Sequence, residues 1–258
     1  GGDGIAKALE LNPDLASAWV SLANLHSTVD WDYAAAGKAT RKALELEPGK
    51  SFVQGLAGDY AKFTGQFDES SAHYKKSIEL DPMYYRPYNQ LAGLYMRTGM
   101  LNEAEEAIRQ AQYLLPSLPS SHSNLSYIHL QRGEKEQALA EVELEIEPIW
   151  KAFQMIQVLF ELVRVDDSDN LLQQFIDEHR GFWAYQIADL YAHRGQIEKA
   201  FEWLEIARQQ HDPGFSWILA DPLLMNLYKD PRWEPLLKSV GLLEAWQEMP
   251  ARYKGAEQ

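Results

Sequence analysis

The sequence predicts an all-α protein built from stacked antiparallel helix hairpins. Apolar residues recur at helical spacing in paired segments, most clearly between Tyr85 and Pro116. Three sets of positions also repeat every 34 residues: Pro48, Pro82 and Pro116; Gly65, Gly99 and Gly133; Ala36, Ser70, Ala104 and Ala138. Independent positions that share one period indicate a repeat architecture in which successive hairpins stack.

Each repeated position has a structural reason. A glycine closes the first helix of a hairpin, because the left-handed conformation there is cheap without a Cβ. A small residue lies where the two helices approach closely. Proline ends the second helix, since it lacks an N–H and crowds the preceding turn. A fourth set fills the space between hairpins: Thr40, Tyr74, Ile108 and Val142.

Residues 15–148 resemble four tetratricopeptide repeats (TPRs). The third repeat carries the motif best, and the others carry parts of it. The matching residues are Tyr88, Leu91, Ala92, Tyr95, Ala104, Ile108, Ala111 and Pro116 in the third repeat, Trp19, Leu22, Ala23, Ala36, Ala43 and Pro48 in the first, Ala57, Gly58, Tyr74, Ser77 and Pro82 in the second, and Leu125, Ser126, Ala138 and Val142 in the fourth. The resemblance implies a TPR α-solenoid, a right-handed superhelix of antiparallel helix hairpins whose first helices line a concave groove.

Residues 1–14 are similar to the second helix of a preceding repeat, so we expect the chain to be a fragment of a longer protein. The spacing from Pro13 to Pro48 is one residue longer than the period, and the extra residue falls near 28–32. Trp31 stands where the other turns have glycine. It is either an exposed anchor or, as is more usual for tryptophan, packed over the end of the hairpin.

The pattern loosens beyond Pro148. Residues 149–180 predict a degenerate hairpin, with one apolar helix from Ile149 to Val165, a turn at 166–169 and a second helix ending near Gly181. Residues 181–212 return to the repeat pattern. Gly195 lies 62 residues after Gly133, so two repeats have lost six residues between them.

The segment 213–247 predicts short capping helices that cover the last hairpin. Asp212-Pro213, Asp221-Pro222 and Asp230-Pro231 each combine a capping residue with proline at the first helical turn. Residues 248–258 are expected to form a frayed tail. This end is also similar to the TPR regions of bacterial multidomain regulators that carry a cyclase, winged-helix or kinase domain.

Composition excludes several functional classes. The formal net charge of −14 argues against nucleic-acid binding and favours partners with basic segments, although an acidic surface also serves solubility alone. No apolar run is long enough to span a bilayer, so we expect no membrane contact. A soluble chain without cysteine is compatible with the cytoplasm or the periplasm.

No catalytic or metal-binding motif is present, and no cofactor is expected. The seven histidines lack the helix-spaced pair of a zinc site, and no phosphate-binding or nucleophile-elbow motif occurs. Asp166, Asp167 and Asp169 lack the spacing of a calcium loop and are interpreted as capping residues. The glutamates between 134 and 147 form either an acidic docking face or, as is more usual, a solvated helix face.

The candidate binding residues lie on the first helices, at positions that hairpin packing does not require. They are Asn24, Phe52, Asp59, Arg86, Asn89, Ser123, Tyr127, Tyr185 and Asp189. Aromatic, amide and guanidinium groups suit an extended or helical peptide, although Phe52 and Tyr127 equally suit packing. The lysine of the carboxylate clamp in chaperone-binding TPR domains is missing. Replacing Arg86 or Tyr127 by alanine is expected to weaken partner binding with little change in stability.

The favoured function is a non-enzymatic scaffold that binds a protein or peptide segment in the groove, as a regulatory or sensor part of a larger bacterial protein. The alternative is self-assembly into a homo-oligomer through residues 1–14 and the helix that contains Trp150. An enzyme is the third hypothesis, and the lack of a catalytic constellation argues against it.

Overall fold

The computed structural model describes residues 2–254, and in that range the chain is helical without a β-strand. The predicted all-α class is therefore confirmed. The α-helices are α1 Gly2–Leu11, α2 Ala16–Leu25, α3 Tyr33–Leu46, α4 Ser51–Phe63, α5 Phe67–Leu80, α6 Tyr85–Arg97, α7 Leu101–Leu114, α8 Ser121–Gln131, α9 Lys135–Glu143, α10 Pro148–Glu161, α11 Val165–His179, α12 Ala184–His193, α13 Ile197–Gln209, α14 Trp233–Ser239 and α15 Leu243–Glu248.

The described residues form two compact units. The N-terminal unit comprises residues 2–94, 213–221 and 228–254, and the central unit comprises residues 95–212 and 222–227. Within the N-terminal unit, α2 pairs with α3 and α4 with α5. Within the central unit, the pairs are α8 with α9, α10 with α11, and α12 with α13. Two segments from the C-terminal part of the chain thus complete the N-terminal unit.

The predicted turn glycines adopt the left-handed conformation. Gly65, Gly99, Gly133 and Gly195 have φ between 68° and 76°. Val163 occupies the equivalent turn between α10 and α11 with φ 61°, and its side chain is 81% exposed. The turn between α10 and α11 therefore has the same left-handed conformation as the glycine turns, although valine occupies the position.

The extra residue of the first hairpin is accommodated by a π-helical turn at His26–Asp30. A π-turn absorbs one residue without breaking the helix. Trp31 follows it with φ 53°, and its ring lies 5.2 Å from that of Phe215, centroid to centroid. The packed interpretation of Trp31 therefore describes it better than the exposed anchor.

The small residues predicted at helix crossings are fully buried. Ala36, Ser70, Ala104 and Ala138 each have 0% exposure. In the pair α4–α5, the Ser70 hydroxyl donates to the carbonyl oxygen of Gly58 at 2.8 Å. In the pair α8–α9, the Ser126 hydroxyl donates to the carbonyl oxygen of Ala138 at 2.7 Å. Larger side chains would separate these helices.

The degenerate hairpin differs from its prediction in where it turns. Helix α10 ends at Glu161, and α11 already begins at Val165. Asp166 and Asp167 therefore lie in the first turn of α11, where carboxylates interact favourably with the helix dipole, and do not form the turn itself. The loop between α10 and α11, residues 162–164, is as long as the loop between α4 and α5, residues 64–66. The shortening lies in α9 instead, which has 9 residues where the second helix α7 of the third repeat has 14.

The C-terminal segments pack differently from the expectation that they cover the last hairpin. Pro213–Trp217 and Pro222–Leu227 are 3₁₀ helices that begin at the predicted prolines. Pro222–Leu227 contacts α12. Pro213–Trp217 instead contacts α4 and the π-helical turn. Apolar surface at the ends of the first hairpins provides the reason, since Phe215 and Leu219 become fully buried.

The predicted tail is held in place over the range that the structure describes. The Tyr253 hydroxyl donates to Asp68 of α5 at 2.8 Å, its ring lies 5.0 Å from Phe67, and Arg252 forms an ion pair with Asp68. Residues 255–258 of that tail lie outside the described residues. At the other end, α1 is a regular helix in which no residue is buried.

Candidate functional site

The predicted binding residues differ widely in accessibility. Asn24, Phe52, Arg86, Asn89 and Tyr127 are partly exposed, whereas Asp59, Ser123, Tyr185 and Asp189 are buried. Phe52 packs against the core cluster of the N-terminal unit that includes Val53 and Leu56. Among these residues, Asp59 and Arg86 are in direct contact with each other.

Asp59 is the centre of a buried polar cluster in the N-terminal unit. Its carboxylate is 3% exposed and accepts one hydrogen bond from the Tyr74 hydroxyl and one from Nη2 of Arg86, each at 2.7 Å. Nζ of Lys62 lies 4.0 Å from the same carboxylate. Burial and the Asp59 carboxylate raise the pKa of Tyr74 well above its usual value, so this hydroxyl is a permanent donor.

Lys62 is the member of this cluster that the sequence analysis missed. Its side chain has 0% exposure, and Nζ donates to Oε1 of Gln90 at 2.7 Å. The Trp217 ring covers it, with its centroid 3.3 Å from Nζ, a cation–π contact supplied by the segment 213–221. Burial lowers the pKa of Lys62 from 10.5 to about 7, although Asp59 opposes this change.

Arg86 connects the buried cluster to solvent. Its side chain is 38% exposed, so it lies at the edge of the cluster. Burial disfavours its charge, but the Asp59 carboxylate more than offsets this and raises the pKa of Arg86 above its usual value. The guanidinium is therefore always positive and is oriented by a buried partner.

Asn89 lies one helical turn beyond Arg86 on α6. Its Oδ1 atom is inaccessible to solvent and has no hydrogen-bond partner within residues 2–254. No hydrogen bond that the fold needs therefore depends on this amide, although the residue itself is partly exposed. The amide is therefore uncommitted within the described residues, and a peptide backbone would reach it through the part of the side chain that is exposed.

In the central unit, the predicted residues are mostly structural. The Ser123 hydroxyl and backbone N–H both donate to Glu145, at 3.2 and 3.1 Å. The backbone N–H of Tyr185 donates to the buried Asp212 at 3.1 Å. Gln154 and Gln157 on α10 are buried polar residues. The sequence analysis did not predict them, because it described this helix by its apolar residues alone.

Three histidines form close contacts with carboxylates of their own hairpins. His26, His122 and His129 contact Asp30, Glu141 and Glu134 at 2.6–2.8 Å. Residues 2–254 contain no group of three or more metal-ligating side chains. In the same range, every helix is too short or too polar to cross a membrane.

With this geometry established, comparison with known proteins identifies the repeat. Residues 53–83 and 85–117 match the family model described as tetratricopeptide repeat. These residues are two TPRs. They correspond to the second and third of the four repeats predicted from the sequence, and the other two remain predictions.

Two curated relatives match part of the chain. Anaphase-promoting complex subunit 3 of Schizosaccharomyces pombe is 24% identical over 43% of this chain and 16% of its own length. The tetratricopeptide repeat-containing protein trd-1 of Caenorhabditis elegans is 30% identical over 52% of this chain and 17% of its own length. The chain thus spans less than a fifth of either relative.

Solved structures extend the likeness to most of the fold. PilW, a type IV pilus biogenesis factor, has a TM-score of 0.59 at 17% identity, over 68% of this chain and 83% of its own. A chain of the APC/C hetero-tetramer Cut9–Hcn1 has a TM-score of 0.62 at 15% identity, over 92% of this chain and 45% of its own. The fold is that of a TPR solenoid.

Proposed function

We propose that this chain is a non-enzymatic scaffold that binds a peptide or protein segment against the first helices of its hairpins. The observation that carries the proposal is the pair Arg86 and Asn89 on α6, a fixed guanidinium and an uncommitted amide on one helix. The TPR solenoid fold supports the same binding function, since repeat solenoids use extended surfaces for binding. One solved chain of this fold comes from a hetero-tetramer.

The binding test should use Asn89. Because the Asn89 amide makes no hydrogen bond within residues 2–254, Asn89→Ala removes contacts to a ligand and few contacts of the fold. Arg86→Ala is unsuitable, contrary to the expectation from the sequence. It would leave the buried Asp59 carboxylate without its guanidinium partner, although Tyr74 would still donate to it, and would destabilise the protein.

The experiment selects peptides from a displayed random library on the wild-type chain and then measures their affinity for two variants. Asn89→Ala should weaken binding about threefold to tenfold, the value of one hydrogen bond. Asn170→Ala, an exposed asparagine on α11, is the matched control and should leave affinity unchanged. Equal binding to both variants would contradict the proposed site.

The same proposal places the chain in a larger regulatory protein, as the sequence suggested. Self-assembly remains the second candidate, because α1 has no buried residue and its Leu11 is 77% exposed. The other predicted self-assembly element is less available, since α10 packs against α8, α9, α11 and α12. Light scattering across a concentration series decides this, and a constant monomer mass would remove the candidate.

A further inference from the structure

The buried cluster of the N-terminal unit contains two cationic residues and one anionic residue, and one of the cations can lose its charge. Arg86 is always positive, and Asp59 holds its carboxylate between Arg86 at 2.7 Å and Lys62 at 4.0 Å. With Lys62 protonated the cluster has a net charge of +1. With Lys62 neutral, the charges of Asp59 and Arg86 cancel.

Arg86 can bind a second anionic group. Its Nη2 atom donates to Asp59, and Nε and Nη1 have no partner within the part of the chain that the structure describes. A guanidinium has five N–H donors arranged to suit carboxylates. With 38% of its side chain exposed, Arg86 can use the remaining donors toward a bound segment.

We propose that Arg86 binds a carboxylate side chain of the partner segment and that the protonation of Lys62 controls the strength of this contact. The inference rests on the proposed function and specifies it, since it makes the partner locally acidic at Arg86. At this site it is the opposite of the expectation from net charge alone, which favoured partners with basic segments.

The surroundings of Lys62 make its charge responsive near neutral pH. From its own helix it faces Asp59 and the Phe63 ring, and from α5 the Tyr74 ring at 6.0 Å. From α6 it faces Gln90 and Arg86, and from the segment 213–221 the Trp217 ring. Burial outweighs the single nearby carboxylate, which already pairs with Arg86, so the pKa of Lys62 is lowered to about 7.

The direction of the effect follows from this arrangement. Below pH 7, Lys62 is positive and shares the Asp59 carboxylate, so Arg86 attracts an anion more strongly. Above pH 7, Lys62 is neutral, and Asp59 neutralises Arg86 alone. One additional buried charge near a partly exposed site should strengthen binding about threefold to tenfold at low ionic strength. By linkage, a bound anion should raise the pKa of Lys62.

The experiment measures the affinity of an end-capped tetraglutamate peptide at pH 6.0 and pH 8.5, with end-capped tetraglutamine as the neutral probe. Wild type should bind tetraglutamate more tightly at pH 6.0 by the factor given above. Lys62→Met should lose this pH dependence. The matched control is Lys76→Met, which removes an exposed lysine of α5 and should keep it.

A paired variant tests the anion contact itself. Asp59→Asn combined with Arg86→Gln removes both charges while keeping hydrogen-bonding amides, and it should abolish the preference for tetraglutamate over tetraglutamine. NMR titration of the Lys62 side chain in the wild-type protein provides an independent readout. Its midpoint should lie near pH 7 and move upward when tetraglutamate is bound.

Three results would overturn the inference: no binding of tetraglutamate at pH 6.0, the same pH dependence in Lys62→Met, or a Lys62 midpoint near its ordinary value. These outcomes are separable from the proposed function. If library peptides lose affinity for Asn89→Ala and tetraglutamate does not bind, the proposed scaffold function is supported and the acidic contact at Arg86 is contradicted. Binding of tetraglutamate at pH 6.0, together with library peptides that bind Asn89→Ala as tightly as wild type, would support the anion site and contradict the proposed scaffold site.

Discussion

Replacing Lys62 by methionine should change how the stability of the protein depends on pH. Methionine fills a similar volume without a charge, so it suits a position with 0% exposure. In wild type, the pKa of Lys62 is lowered in the folded state from 10.5 to about 7. Between these values the unfolded state binds more protons, and the free energy of unfolding therefore rises with pH.

The size of this effect follows from the two pKa values. Each pH unit well inside the window is worth about 1.4 kcal/mol. From pH 7 to pH 9 the wild-type chain should gain about 2 kcal/mol from this lysine, less than the full slope because Lys62 is half protonated at pH 7. In Lys62→Met this contribution is absent. The unfolding free energy of the variant minus that of wild type should therefore fall by about 2 kcal/mol over the same range.

Urea unfolding followed by far-UV circular dichroism at pH 7, 8 and 9 measures this difference. Urea is uncharged and does not screen the cluster. Lys76→Met serves as the control, since the Lys76 side chain is 54% exposed and this variant should show a difference that does not vary with pH. A constant difference for Lys62→Met would refute the reasoning, because it would mean that the buried lysine keeps an ordinary pKa.

Three further substitutions test the fold by chemical or thermal unfolding. Val163→Gly should stabilise the protein by about 0.5–1 kcal/mol, because it relieves a left-handed β-branched residue that is 81% exposed, and an unchanged melting temperature would contradict the strain. Ala138→Leu should cost about 1–3 kcal/mol by overpacking a fully buried helix crossing, and a neutral result would mean that the crossing is loose. Tyr74→Phe should cost about 1–3 kcal/mol by removing the 2.7 Å hydrogen bond to Asp59, and a smaller loss would show that the carboxylate finds another donor.

The repeat geometry could be predicted well because its constraints are local. The left-handed turn at Gly65 and the buried crossing at Ser70 each depend on residues within one 34-residue period. Where the repeat pattern is weak, the predicted positions of the turns were less accurate. The turn that Val163 makes was placed several residues too late, since valine does not signal a positive φ.

The candidate site was predicted less well, because a helical position does not determine accessibility. Asp59 and Arg86 were both placed on first helices, and the structure joins them into one ion pair with Asp59 buried. Lys62 lies one turn after Asp59, and this spacing was the available signal for a shared charge cluster. Its burial depends on Trp217, which no periodic pattern connects to α4.

By itself, the sequence determined the helical hairpins, their turns and the small residues at their crossings, because a repeat imposes the same short-range packing problem on each unit in turn. Only the tertiary structure decided that the C-terminal segments complete the N-terminal unit. Arg252 and Asp68, for example, are 184 residues apart in the chain. The shape and the apolar surface of the folded hairpins determine which distant segments of the chain make such contacts. The packing of Trp217 over Lys62 likewise removes this lysine from water and so decides whether it carries its charge at neutral pH.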